Sequence, residues 1–92
     1  MTDQVLVECR QKIDAIDKQL VVLLTERFRV TQRVGEYKRD HNLPPVDTAR
    51  EAAQEVRITA LATEAGLDPA FARKMLRLII DEVVKNHKAL RV

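Results

Sequence analysis

Aromatic side chains are scarce in this chain, with two Phe, one Tyr and no Trp among 92 residues. So few π faces exclude a stacking platform for nucleic-acid bases. Charge of one sign is also lacking. Sixteen Lys and Arg stand against fourteen Asp and Glu, and the formal charge of +2 is too small for capture of DNA or RNA by bulk electrostatics. Any affinity for anions must come from individually placed cations. The single cysteine, Cys9, excludes an internal disulfide. Cys9, His41 and His87 lie too far apart to supply metal-ligand spacing, so no metal is expected. The only glycines are Gly35 and Gly66, which leaves no phosphate-cradling loop. A secretory hydrophobic region is missing, as is any apolar run of about 18 residues. The expectation is a cytoplasmic protein with neither membrane nor nucleic acid as partner.

What the chain does have is helical periodicity. A first helix is expected from Asp3 to Asp40, with apolar residues at Leu6, Cys9, Ile13, Ile16, Leu20, Leu23, Val30, Val34 and Tyr37. Their spacing alternates between three and four, as in a coiled-coil seam. Asn42-Leu43-Pro44-Pro45 ends it, since proline disfavours helical continuation. Asp47 is placed to cap a second helix over Thr48 to Glu64, with Ala49, Ala53, Val56 and Ala60 as a narrow inward face and Gly66 as its stop. Asp68-Pro69 then starts a third helix that runs to Leu90, turning Phe71, Leu76, Ile79, Ile80, Val83, Val84 and Leu90 inward.

The first helix is roughly 55 Å long at 1.5 Å per residue, and the others are roughly half of that. Two short helices do not cover so long a seam, and a small domain buries only a modest fraction of its surface. The expected class is all-α, with residues 1–92 forming one domain of one long and two shorter helices. Two chains are expected to pair along their first helices as a six-helix homodimer.

Three positions break the apolar pattern. Arg27 falls on the seam between Leu23 and Val30, where a buried unpaired charge is costly. Lys38 lies eleven residues later, nearly three full turns, on the same face roughly 16 Å away. Thr31, Val34 and Gly35 lie between them, and glycine costs about 1 kcal/mol in a helix interior. Two readings fit. Either two cations flank a small floor open to a compact dianion, or Arg27 reaches solvent and Gly35 permits a close helix crossing. Arg10, beside Cys9, is roughly 25 Å from Arg27 along the helix, so it is either a solvated arginine or a residue that serves a partner chain. His87 shares a stripe with Val83 near the end of the third helix. By position it either answers the helix dipole or belongs to the site.

The stretches "CRQKIDAIDKQLVVLLTERFRV", "VGEYKRDHNLPPVDTARE" and "AGLDPAFARKMLRLIID" together resemble the all-helical class of chorismate mutases over nearly the whole chain. Arg10, Glu26-Arg27, Gly35-x-x-Lys38 and Asp47-x-x-Arg50-Glu51 stand in that family's order and spacing. The resemblance implies an intertwined six-helix homodimer with two equivalent sites, and rearrangement of chorismate to prephenate, towards phenylalanine and tyrosine, without a cofactor. It implies that Arg10 crosses from the partner chain and that Arg10 and Arg27 bind the substrate carboxylates. Lys38 touches a carboxylate and the ether oxygen of the breaking bond. Asp47 and Glu51 meet the ring hydroxyl, Arg50 supports that end, and Gly35 makes room for the ring. Two positions depart from the usual pattern. Val83 stands where many relatives have a small polar residue that helps to hold a carboxylate. His87 stands where many have glutamine or glutamate facing the ether oxygen. Alternatives on the same fold are an isochorismate-pyruvate lyase, a mutase of amino-substituted chorismate, and a non-catalytic regulatory dimer.

Overall fold

The computed structural model describes residues 3–92, which form three helices in the order α1 (Gln4–Asp40), α2 (Thr48–Ala65) and α3 (Pro69–Ala89). Strands are absent among the described residues. The chain is all-α, as its periodicity indicates, and each helix ends within about one residue of its expected limit.

Local chemistry accounts for five of the six helix limits. Asp3 Oδ1 accepts from the backbone N–H groups of Val5 and Leu6 at 3.0 and 3.4 Å, capping α1. At the other end the Leu43 N–H reaches the Lys38 carbonyl at 2.7 Å and the Asn42 N–H reaches that of Arg39 at 3.2 Å. This is the Schellman pattern, and Asn42 takes the left-handed conformation it requires, with φ 54°. The stop thus begins two residues before the prolines that the sequence offers as its cause. Asp47 caps α2 by accepting from the Arg50 N–H at 3.0 Å. Gly66 closes α2 at φ 80°, while the Leu67 N–H bonds the Ala62 carbonyl at 2.8 Å. Asp68 caps α3 through the Ala70 N–H at 2.9 Å, with Pro69 in the first turn.

The chain divides into two compact units, Met1–Val30 and Thr31–Val92. In the first, Leu6, Ile13, Ile16, Leu20, Leu23 and Val30 are each between 49% and 60% exposed. Nothing within that unit covers them. In the second unit α2 packs on α3. The core there is Ala62 of α2 with Ala72, Leu76 and Ile80 of α3. The inward face of α2 differs from expectation. Ala49, Ala53, Val56 and Ala60 are exposed, and Glu51, Ile58 and Ala62 turn towards α3 instead. An alanine stripe offers little area to bury, so the larger Ile58 decides the rotation of the helix. On α3, Leu76 and Ile80 are buried and Ile79, Val83, Val84 and Leu90 are half-buried, but Phe71 is exposed and its neighbour Ala72 takes the inward place.

The end of α3 is seated on α1 at Gly35. The imidazole of His87 is 4% exposed, and its Nε2–H donates to the Thr31 carbonyl at 2.8 Å. That approach needs a glycine one turn later. A Cβ at position 35 would lie 2.5 Å from His87 Cδ2 and 3.0 Å from Leu90 Cδ1. The floor over Gly35, one candidate space for a substrate ring, is therefore filled by α3 itself. Gly35 serves a close helix crossing because a ring held by a carbonyl leaves no volume for a methyl group.

Two stability measurements check these assignments. Gly66→Ala places a Cβ in open space but at a left-handed φ. It should lower the free energy of unfolding by about 1 kcal/mol with helical circular dichroism unchanged. Gly35→Ala should destabilise the native chain even though alanine is the better helix former. In a His87→Ala background the same change should stabilise by about 1 kcal/mol. Urea unfolding of the four combinations reads this reversal of sign.

Candidate functional site

The residues singled out in the sequence fall in both units. Arg10, exposed, and Arg27, half-buried, belong to Met1–Val30. Lys38, Asp47, Arg50, Glu51, Val83 and His87 belong to Thr31–Val92. Within that second unit, Lys38 and Val83 are half-buried and His87 is buried.

Asp47, Arg50 and Glu51 come together because they form the first turn of α2. The Asp47 carboxylate accepts from the Arg50 N–H at 3.0 Å, and the Asp47 carbonyl accepts from the Glu51 N–H at 3.0 Å. A helix start concentrates N–H groups and a partial positive charge, which favours both carboxylates there. Asp47 therefore has a structural duty whatever else it does.

Glu51 does not stand alone. Arg77 of α3 donates through Nη2 to Glu51 Oε1 at 3.0 Å and through Nε to Asp81 Oδ1 at 3.0 Å. The hydrogen bond with Glu51 is the main cause that raises the Arg77 guanidinium above its ordinary value, and Asp81 adds to it. Glu51, Glu55, Arg73, Leu76, Arg77 and Ile80 line a shallow cleft of about 100 Å³ between α2 and α3. Arg73 Nη1 donates to Thr59 Oγ1 at 3.4 Å on the same side. Sequence reading misses Arg77. Its pairing with Asp81, four residues on, is legible as a helical ion pair. Its pairing with Glu51 spans 26 residues and exists only because α2 lies on α3.

His87 brings a different chemistry. A carbonyl only accepts, so Nε2 carries the proton in the bond to Thr31. Nδ1 is then a buried lone pair, and it has no hydrogen-bond partner. An unsatisfied buried polar atom costs about 1–3 kcal/mol. Such an atom is placed to accept from a hydroxyl or ammonium group.

The chain is similar to proteins of one family. Residues 9–88 match the family described as chorismate mutase type II. It is 34% identical over 76 residues to the 4-amino-4-deoxychorismate mutase of Streptomyces pristinaespiralis, covering 83% of this chain and 59% of that one. It is 33% identical over 86 residues to the chorismate mutase of Methanocaldococcus jannaschii, covering 94% of this chain and 83% of that one. It is 33% identical over 85 residues to the bifunctional chorismate mutase/prephenate dehydratase of Escherichia coli K12, where it spans 22% of the length. With most of its length inside the family's bounds and its three helices in place, the chain belongs to the chorismate mutase type II family.

Proposed function

We propose that this chain catalyses the rearrangement of chorismate to prephenate as a homodimer. The observation that carries the reading is the family match across residues 9–88, which includes every candidate cation and carboxylate in the sequence. The reaction breaks one C–O bond and forms one C–C bond within a single molecule. It moves no proton and needs no nucleophile. The protein has two tasks: to hold a compact conformer of a dianion, and to stabilise negative charge on the ether oxygen as its bond breaks.

The side chains divide along those lines. Arg27 and the partner chain's copy of Arg10 pair with the two substrate carboxylates. Lys38 touches a carboxylate and donates to the ether oxygen. Glu51 accepts from the ring hydroxyl, with Asp47 and Arg50 alongside. Val83 contributes packing only, because it lacks the hydroxyl with which a small polar residue would hold a carboxylate. His87 faces the same oxygen as Lys38, but its Nε2–H is already engaged by Thr31. With that N–H engaged and Nδ1 an acceptor, Lys38 is the donor that needs no rearrangement. Dimerisation is supported by the exposed line Leu6, Ile13, Ile16, Leu20 and Leu23. Each of those side chains is about half exposed, so covering it stabilises by about 1 kcal/mol.

A second reading, a mutase of the amino-substituted substrate, is favoured by the similarity to the Streptomyces pristinaespiralis protein. Product identification separates the possibilities. Incubation with chorismate should yield prephenate. Released pyruvate would indicate a lyase acting on the ether bond, and no loss of chorismate would remove the proposal. Arg27→Ala and Lys38→Ala should each lower kcat/KM by at least ~100-fold with folding retained, since each leaves a substrate charge unpaired in a sheltered site.

The cross-chain role of Arg10 has its own check. Arg10→Ala and Lys38→Ala should each be inactive alone. A mixed dimer of the two holds one site with both defects and one intact site. Co-refolding should restore about a quarter of the native activity for random pairing. Demonstrated chain exchange without recovery would place Arg10 outside the partner's site.

A further inference from the structure

We infer that Arg77 sets which ring substituent the site accepts: by holding Glu51 through a charged hydrogen bond, it favours a hydroxyl over an ammonium group at the ring position that Glu51 reads. The inference rests on the functional reading above and deepens it, adding a specificity residue that lies outside the set found in the sequence.

The geometry is that of a fixed guanidinium. Arg77 is held by both Glu51 and Asp81, each at 3.0 Å through a different nitrogen. Two anchors remove much of the rotamer freedom that normally weakens an exposed arginine pair. The Glu51 side chain is only 20% exposed, and it is Oε1 that takes the bond to Arg77. Bonded to a guanidinium, this carboxylate serves as an acceptor. A substrate hydroxyl suits it, giving one hydrogen and bringing no charge.

An amine in the same position is protonated at neutral pH and brings a full positive charge. Bonded to Glu51, it would lie within about two hydrogen-bond lengths of the Arg77 guanidinium. Like charges that close repel, and the half-buried setting of Glu51 screens them less than water would. Without Arg77, the same Glu51 is an uncompensated anion, and an ammonium is its better partner. Asp81 bonds a different nitrogen of the guanidinium and is 65% exposed, so solvent screens its influence on the substrate. Glu55 and Arg73, which line the same cleft, offset one another in charge. The substituent at issue is the one by which chorismate and 4-amino-4-deoxychorismate differ, and the chain has relatives named for each.

The test measures kcat/KM of the full chain for chorismate and for 4-amino-4-deoxychorismate. The proteins are the native chain, Arg77→Gln, Arg77→Lys, Glu51→Gln and the Glu51→Gln/Arg77→Gln double variant, each checked for helical circular dichroism. The native chain should prefer chorismate. Arg77→Gln should move the ratio about fivefold towards the amino substrate, and Arg77→Lys should move it less, since a positive charge remains. With Glu51 already replaced, Arg77→Gln should leave the ratio unchanged. An equal loss on both substrates in Arg77→Gln overturns the inference, because Arg77 then only supports the fold. A native preference for the amino substrate overturns it too, as does a shift that persists without Glu51. Turnover of neither substrate by the native chain overturns the functional reading and this inference together.

Discussion

The end of α3 depends on one contact: the His87 imidazole lying on Gly35 and bonded to the Thr31 carbonyl. A helical carbonyl has a second lone pair, and only a bare Cα one turn further on lets a ring reach it. Once that ring is seated, the rotation of α3 is set. Ala72, Leu76 and Ile80, spaced by fours along the same helix, then turn inward to meet α2. A hydrogen bond of this kind contributes about 1 kcal/mol net, but losing the ring would also open a hole over Gly35.

The first turn of α2 shows how few charges are free for chemistry alone. Asp47 holds the helix start, and Glu51 ties α2 to Arg77 of α3. Both carboxylates are oriented by contacts that also support the fold. This suits a reaction that needs fixed partners for charge and polarity rather than proton transfer. A carboxylate already aligned by the protein loses little freedom when a ligand arrives. The same economy limits change, because replacing Glu51 disturbs a tertiary contact as well as a candidate substrate contact.

The apolar line of α1 poses the opposite problem. Its residues have helical spacing and good side chains for a core, yet a single chain leaves them in water. The two shorter helices spend their apolar faces on each other. Ala62, Ala72, Leu76 and Ile80 are buried where α2 packs on α3, while the stripe that begins at Leu6 stays exposed. Arg27 interrupts that stripe, and a charge in such a line needs an anionic partner wherever the line becomes covered.

The helices and their limits were legible in the sequence because they are local. Asp47 and Asp68 have the short acceptor that a helix start needs, and Gly66 tolerates the left-handed φ that a helix end needs. Asn42 shows the same chemistry, although the prolines after it drew attention first. Arg27, Lys38 and Glu51 stood out because each sits at a fixed offset in a recognisable pattern. Contacts between distant segments were not legible. The exposure of Ala49, Ala53, Val56 and Ala60 follows from which face of α2 buries more area against α3, a comparison that periodicity alone does not make. The occupant of the space over Gly35 lies 52 residues further along the chain and the partner of Glu51 lies 26 residues further, so no helical period connects either pair. Short-range sterics and hydrogen bonding determined where helices begin and end. Packing between helices decided which side chains meet, because only there do residues remote in sequence compete for the same volume and the same charge.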